Sequence, residues 1–131
     1  GRVQSVTLAT TGRDRTLTAS AFVYAPGGIE SGALHLDSYG RLTERVFDLP
    51  LRAASELVTA DDPTRQELFR AGVATDDRMR PVDADGEVVY ANLHVAGGLL
   101  AGALRWNEKS GEGIALGSAL RAADSIGEDL A

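Results

Sequence analysis

Three residue types are scarce in this chain of 131 residues: cysteine is absent, lysine occurs once, and aromatic residues make up 5% of the sequence. Without cysteine, the chain can form no disulfide, no zinc–thiolate site and no cysteine nucleophile. Glycine and alanine are abundant instead, and such small residues let helices and sheets approach closely. An apolar fraction of 44% is ordinary for a folded protein, so we expect a single domain with one core.

Positive charge is scarce too. Thirteen basic residues face nineteen acidic ones, for a net charge of −6, whereas a protein that binds nucleic acid needs a basic face. An acidic surplus with one lysine, Lys109, is typical of halophilic proteins, whose stability rises in molar salt. The same arginine-for-lysine bias also follows from GC-rich coding, and both interpretations stay open.

Long apolar runs are missing as well. No stretch reaches the roughly eighteen apolar residues of a membrane span. The chain starts at Gly1-Arg2-Val3 without an initiator methionine or a signal-peptide pattern, so we expect it to be a piece of a longer protein.

The apolar patterns near both ends predict strands. Residues 2–9 and 15–18, joined by a turn at Gly12, predict an antiparallel hairpin with a half-buried first strand. Residues 21–25 are apolar without alternation, which is typical of a buried parallel strand, and residues 92–96 predict a further apolar strand.

Helices are predicted in two places. Residues 63–71 predict a short helix after an N-cap at Asp61 or Asp62. Residues 111–130 predict a long helix whose core-facing residues recur at helical spacing, namely Leu116, Leu120, Ala123 and Leu130. Residues 29–50 lack periodicity and predict mostly loop, and residues 83–86 predict a turn.

Side chains that could perform catalysis form no recognisable constellation. His94 lies in a predicted strand, which favours a packed core histidine, and His35 has no triad partner. The acid pairs at 76–77 and 83–85 are better explained by turns and solvation than by acid–base chemistry. No spacing supports a metal site.

Glycine placement is more informative. Two strands each end in a glycine pair, Gly27-Gly28 and Gly97-Gly98, and ligands of open α/β sheets lie beyond such carboxyl ends. Gly111-Glu112-Gly113 opens the long helix, whose first N–H groups have no internal partner. One glycine pair alone would indicate a tight turn, but two pairs together with the glycine-rich helix start favour a cofactor site. The Gly113–Gly117 spacing predicts close packing of this helix on a sheet.

The order of these elements resembles the C-terminal part of flavoproteins with two dinucleotide-binding folds. More narrowly, residues 25–34, 44–50, 69–81 and 92–126 resemble the B subunits of the anaerobic glycerol-3-phosphate dehydrogenases. The resemblance covers nearly the whole chain. It implies an α/β fold that is the C-terminal portion of a Rossmann-like FAD/NAD(P)-binding fold, with residues 1–28 and 88–131 as flavin-fold elements. Residues 29–87 would then be an irregular insertion on the substrate side.

The resemblance also implies a function. Proteins of this family belong to a complex that oxidises sn-glycerol 3-phosphate to dihydroxyacetone phosphate and passes electrons through flavin (FAD or FMN) to a quinone in anaerobic respiration. The expected partners are the A and C subunits of glycerol-3-phosphate dehydrogenase, and the expected location is the cytoplasm, with membrane association through a partner. The residues expected along the flavin are Gly97, Gly98, Gly111, Glu112, Gly113, Ile114 and Ala115, with Gly27 and Gly28 near its nucleotide end.

The sequence departs from the flavoprotein pattern at two points. It has no GxGxxG phosphate loop, so we expect this chain alone to bind no flavin and to be inactive. Gly98 stands where many flavoproteins carry an acidic residue that holds the ribityl chain. Two alternatives remain: a non-catalytic assembly module of the same complex, and a flavin oxidase of the succinate or aspartate type, disfavoured because the middle segment lacks a His/Arg-rich site. Exposed strand edges further predict a homodimer of the fragment.

Overall fold

The computed structural model describes residues 1–60, 66–104 and 111–131. It is a mixed α/β fold with four two-stranded sheets and, within these residues, one long C-terminal helix. The strands are β1 (Val6–Leu8), β2 (Arg15–Leu17), β3 (Phe22–Tyr24), β4 (Leu34–Leu36), β5 (Leu42–Glu44), β6 (Leu51–Arg52), β7 (Gly72–Val73) and β8 (Leu93–Val95). The helix α1 spans Gly111–Leu130, and short 3-10 helices cover Ile29–Ser31, Glu67–Arg70 and Gly97–Leu99.

The predicted hairpin and the predicted parallel strands are both confirmed. β1 pairs antiparallel with β2, and β3 pairs parallel with β8 in the register Tyr24 to Val95. The half-buried first strand is confirmed, since Val3 is 9% exposed and Val6 packs against the core while Leu8 is 43% exposed. The burial predicted for β3 was wrong, because Val23 is 51% exposed. Each of these strands pairs with one neighbour in the described chain, so one face and one edge stay open to solvent.

The middle segment is more regular than its sequence indicates. β4 and β5 form an antiparallel hairpin within residues 29–50, which the prediction of mostly loop missed. β6 pairs with β7, and Val73 bridges to Leu100 beyond β8. Ala33, Leu34, Leu49 and Val73 share the core with Val3, Leu93, Val95 and Leu99. The middle segment therefore contributes strands and core residues, and the proposed division of the chain, with residues 29–87 as an insertion, stays a prediction.

A buried carboxylate joins the middle segment to β3. Glu44 is 3% exposed and accepts hydrogen bonds from the Tyr24 hydroxyl at 2.6 Å and from the Val46 and Phe47 amides at 2.8 Å each. Burial raises the pKa of the Tyr24 phenol, and the neighbouring Glu44 carboxylate raises it further. The phenol therefore stays protonated at neutral pH and donates its hydrogen bond to Glu44.

The predicted face of the long helix was also wrong. Leu116 is 73% exposed, Leu120 60% and Leu130 63%, whereas Ser118, Ala122 and Ser125 are buried. The small residues let α1 lie close to β8 and to the 3-10 turn that follows it. The predicted helix at 63–71 is a 3-10 helix where it is described, from Glu67 to Arg70, and its start and N-cap lie outside the described residues.

Three turns share one construction. In each, an aspartate carboxylate accepts the N–H groups two and four residues later, as in Asp37, Asp76 and Asp83. The residue three positions after the aspartate has a positive φ: Gly40 at 82°, Met79 at 64° and Gly86 at 85°. The turn predicted at residues 83–86 and the structural role predicted for the acid pairs are thus confirmed.

Replacing glycine by alanine should change the free energy of unfolding in opposite directions at two exposed positions, one in a turn and one in α1. Gly40→Ala should destabilise the fold by about 1 kcal/mol, because a side chain disfavours the left-handed region even where space is open. Gly117→Ala, in helical backbone with equally open space, should stabilise it by about 1 kcal/mol. Urea unfolding measures both, and changes of the same sign would contradict the assigned turn geometry.

Candidate functional site

The two glycine pairs lie at the same end of one parallel strand pair. Tyr24 ends β3 and Val95 ends β8, and these residues are partners in the ladder. The Ala96 amide donates to the Tyr24 carbonyl at 3.1 Å, so the chain is still paired when it leaves both strands. Gly27-Gly28 and Gly97-Gly98 therefore begin side by side at the carboxyl ends, where α/β folds bind ligands.

Gly97 connects β8 to the helix. It is buried and has a φ of 72°, a conformation that only glycine adopts without strain. Its N–H donates to the Ser118 hydroxyl at 2.9 Å, and that hydroxyl donates to the Ile114 carbonyl at 2.6 Å. The Gly97 amide is thus already used inside the protein. Although Gly97 is buried, the space beside its Cα is open, since a Cβ built there would meet no atom within 4 Å.

Gly27 and Gly28 form the tight turn that leads into the first 3-10 helix. A Cβ at Gly27 would lie 2.8 Å from the Cβ of Ser31, so a side chain there would force a shift. The Ser31 hydroxyl donates to the Gly28 carbonyl at 2.8 Å. Local packing is therefore sufficient to explain this glycine pair, and its place near a nucleotide stays a prediction.

The start of α1 is open to solvent. Glu112, Gly113 and Ala115 are exposed, and Gly111 and Ile114 are half buried. Gly113 and Gly117 are both exposed, so the predicted packing of this pair on a sheet was wrong. The first-turn N–H groups of the helix carry partial positive charge and have no acceptor within the helix.

A strap at residues 76–80 ties the helix to β8. Arg78 Nη2 donates to the Ser125 carbonyl at 3.0 Å and to Asp129 Oδ1 at 2.6 Å, and the Met79 carbonyl accepts from the Val95 amide at 2.7 Å. His94 is 1% exposed and its Nδ1–H donates to the Arg78 carbonyl at 2.9 Å. The prediction of a hydrogen-bonded core histidine is confirmed.

Asp76 stabilises this strap. Partial burial by itself would raise the pKa of its carboxyl, but hydrogen bonds and charge from Arg80, 2.7 Å away, outweigh burial and lower the pKa. A lowered carboxyl pKa means that Asp76 stabilises the fold above about pH 4 and loses that contribution as the pH falls through its folded pKa.

The remaining candidates stay apart from the glycine site. His35 is exposed on β4, opposite Thr43. Within the described ranges, no group of three or more His, Asp or Glu residues is placed to hold a metal ion. In the same ranges, no helix is long and apolar enough to cross a membrane.

Sequence comparison finds curated relatives of this chain. Two relatives, from Halobacterium salinarum strains ATCC 29341 / DSM 671 / R1 and ATCC 700922 / JCM 11081 / NRC-1, are each named as a probable B subunit of the anaerobic glycerol-3-phosphate dehydrogenase. Each is 30% identical to this chain over 133 residues. The resemblance to these B subunits is confirmed.

The match covers the two proteins unequally. It includes 99% of this chain but 31% of each relative, so the chain spans about a third of their length. No family model matches the chain, and no solved structure matches it. The mixed α/β fold therefore stands on the structure described above, and the Rossmann-like assignment stays a prediction.

Ser118 is the residue of this site that sequence reasoning missed. Ser118→Ala should destabilise the fold by about 1–3 kcal/mol, because the buried Gly97 N–H loses its acceptor. Ser125→Ala is the matched control: Ser125 is also buried on α1, but its hydroxyl only donates to the Arg121 carbonyl within the helix. Urea unfolding compares the two, and an equal loss would contradict a special role for the Gly97–Ser118 bond.

Proposed function

We propose that this chain is the C-terminal part of a flavin-dependent B subunit that takes part in oxidising sn-glycerol 3-phosphate to dihydroxyacetone phosphate. The proposal includes electron transfer to a quinone, the A and C subunits as partners, and membrane association through a partner. The observation that carries it is the side-by-side position of two glycine pairs at the carboxyl ends of β3 and β8, in a chain similar to proteins of that name.

The described residues leave space for a flavin ring beside Gly97 and Gly98, but the Gly97 amide is not free to bind it. Open space lies beyond Gly97, and Gly98 is only partly buried, so a planar ring could approach the backbone there. The Gly97 amide points to Ser118 instead, so hydrogen bonds to the ring must come from elsewhere. The exposed first turn of α1, residues 111–115, is the proposed source.

Each part of the site then has a distinct role. When bound, the flavin supplies the acceptor of the two electrons removed from the alcohol carbon of the substrate. The N–H groups of the first turn of α1 that have no acceptor within the helix would stabilise negative charge on a reduced ring. Gly97 and Gly98 leave its face uncovered, and the strap at residues 76–80 keeps β8 and α1 in fixed relation.

The exposed side of α1 also raises a second candidate function, a non-catalytic assembly module. Leu116, Leu120 and Leu130 form an outward apolar face on a helix whose inner side is already packed. Solvent-facing leucines spaced along one helix mark a surface that other residues cover, either of the same polypeptide or of a partner. We assign this leucine face to the rest of the full-length polypeptide, because the relatives are about three times as long as this chain.

The flavin assignment predicts different effects at two exposed helix glycines. In the full-length B subunit, Gly113→Val should lose flavin or lower its reduction potential, because the side chain stands between the first-turn amides and the ring. Gly117→Val, one turn further along and equally exposed, should leave both unchanged.

The measurements are flavin content, a redox titration and a melting curve on each variant. A folded Gly113→Val protein with normal flavin content and normal potential would remove residues 111–115 from the site. An equal loss of flavin in both variants would point to a general effect on the helix and would also contradict the assignment.

If the rest of the full-length B subunit covers the leucine face, substitutions there should affect stability in that protein but not in this 131-residue chain. In this chain alone, Leu116→Gln with Leu120→Gln should change stability by less than about 0.5 kcal/mol, since both side chains are exposed. In the full-length B subunit the same pair should lower the melting temperature by several degrees.

Leu8→Gln with Leu17→Gln, on the exposed β1–β2 hairpin, is the matched control. Light scattering and a pull-down with the A subunit of the complex distinguish the other occupants. Concentration-dependent dimers of the short chain that the helix variant abolishes would assign the face to a second copy. An unchanged melting temperature with lost binding of the A subunit would favour the assembly module over our assignment.

A further inference from the structure

An open cavity of about 380 Å³ lies between β6, the 3-10 helix Glu67–Arg70 and the segment that follows β8. Its lining includes two arginines, Arg52 and Arg70, together with Ala101 and Gly102. Its volume is in the range of small-molecule sites. None of its lining residues belongs to the glycine site described above.

The scaffold around this cavity is closely packed. Arg52 on β6 pairs with Gly72 on β7, and Gly72 approaches the Leu99–Ala101 backbone so closely that a Cβ would contact the Leu99 carbonyl oxygen. The Gly102 amide donates to the Arg70 carbonyl at 2.8 Å. The backbones that carry the two arginines are therefore held in fixed relation to residues 99–102, the direct continuation of Gly97-Gly98.

The charge of the cavity is opposite to that of the chain. Within the described residues, the Arg52 side chain makes no ion pair or hydrogen bond. Arg70 Nε lies 3.7 Å from Glu67 Oε1 with both side chains well exposed, which is a weak pair. Among the described lining residues, two arginines and one glutamate give an excess of positive charge on a chain whose net charge is −6. Guanidinium groups bind phosphate oxygens through paired, charge-assisted hydrogen bonds.

We propose that Arg52 and Arg70 bind a phosphate monoester in this cavity. Which molecule carries this phosphate is inferred from the proposed function. We assign it to the substrate glycerol 3-phosphate, and the alternative is the phosphate of a flavin nucleotide. Ala101 and Gly102 of the cavity lining follow Gly97 by four and five residues along the chain.

The test is an amide NMR titration of this 131-residue chain at fixed ionic strength, since a charged ligand also changes screening. The probes are inorganic phosphate, sn-glycerol 3-phosphate, FMN and uncharged glycerol. Phosphate and glycerol 3-phosphate should shift the amides of Arg52, Arg70 and Gly102 saturably, and glycerol should not. Arg52→Gln and Arg70→Gln should each weaken binding about tenfold or more.

Arg13→Gln is the matched control, because it removes the same charge from the exposed β1–β2 turn, away from the cavity lining. Equal weakening of binding by Arg13→Gln and Arg52→Gln would overturn the proposal. So would the absence of a saturable shift with inorganic phosphate, sn-glycerol 3-phosphate and FMN alike. Tighter binding of glycerol 3-phosphate than of FMN supports the substrate as the source, and the reverse order supports the nucleotide.

The same experiment separates this inference from the proposed function. A full-length B subunit that holds flavin, beside a short chain that binds no phosphate here, would overturn the cavity and leave the function standing. Saturable phosphate binding at Arg52 and Arg70, beside a full-length protein that never holds flavin, would support the cavity and remove the function.

Discussion

The parallel pairing of β3 with β8 is the constraint on which the rest of the structure depends. It brings together two stretches that are about seventy residues apart and directs both glycine pairs to one end of the sheet. β8 is completely buried, with Leu93 and Val95 at 0% exposure, whereas β3 leaves Val23 half exposed. A two-stranded parallel sheet with one open side is unusual for soluble domains, in which parallel sheets are covered on both faces. This asymmetry agrees with a chain that spans a third of its relatives' length.

The sequence was informative where local chemistry decides the structure. The turn at residues 83–86, the hairpin of β1 and β2, and the core position of His94 follow from turn residues and apolar runs. The β4–β5 hairpin was missed because its strands have three residues each, too few to establish an alternation. The helix face was wrong because periodicity identifies the most apolar side, and α1 packs its smallest side instead. The Gly97–Ser118 hydrogen bond and the Arg78–Ser125 hydrogen bond mark that inner side, and the sequence reasoning anticipated neither.

Residues 97–102 run from the glycine pair after β8 to Ala101 and Gly102 in the lining of the arginine cavity. Gly97 fixes the exit from β8, and Gly102 is bonded to the backbone of Arg70. A cofactor on the first and a phosphate in the second would be held by the same short segment, whose position depends on β7 on one side and on α1 on the other. The middle of the chain therefore supplies both a large part of the core and the charged groups near the site.

The proposed function places a flavin at the carboxyl ends of β3 and β8 in the full-length B subunit. Hydrogen exchange of that protein with and without flavin tests it most directly. We expect slower exchange on flavin binding at the amides of residues 98 and 111–115, with no change in the turn at residues 37–41. Unchanged exchange at residues 98 and 111–115 in a flavin-loaded protein would contradict the claim.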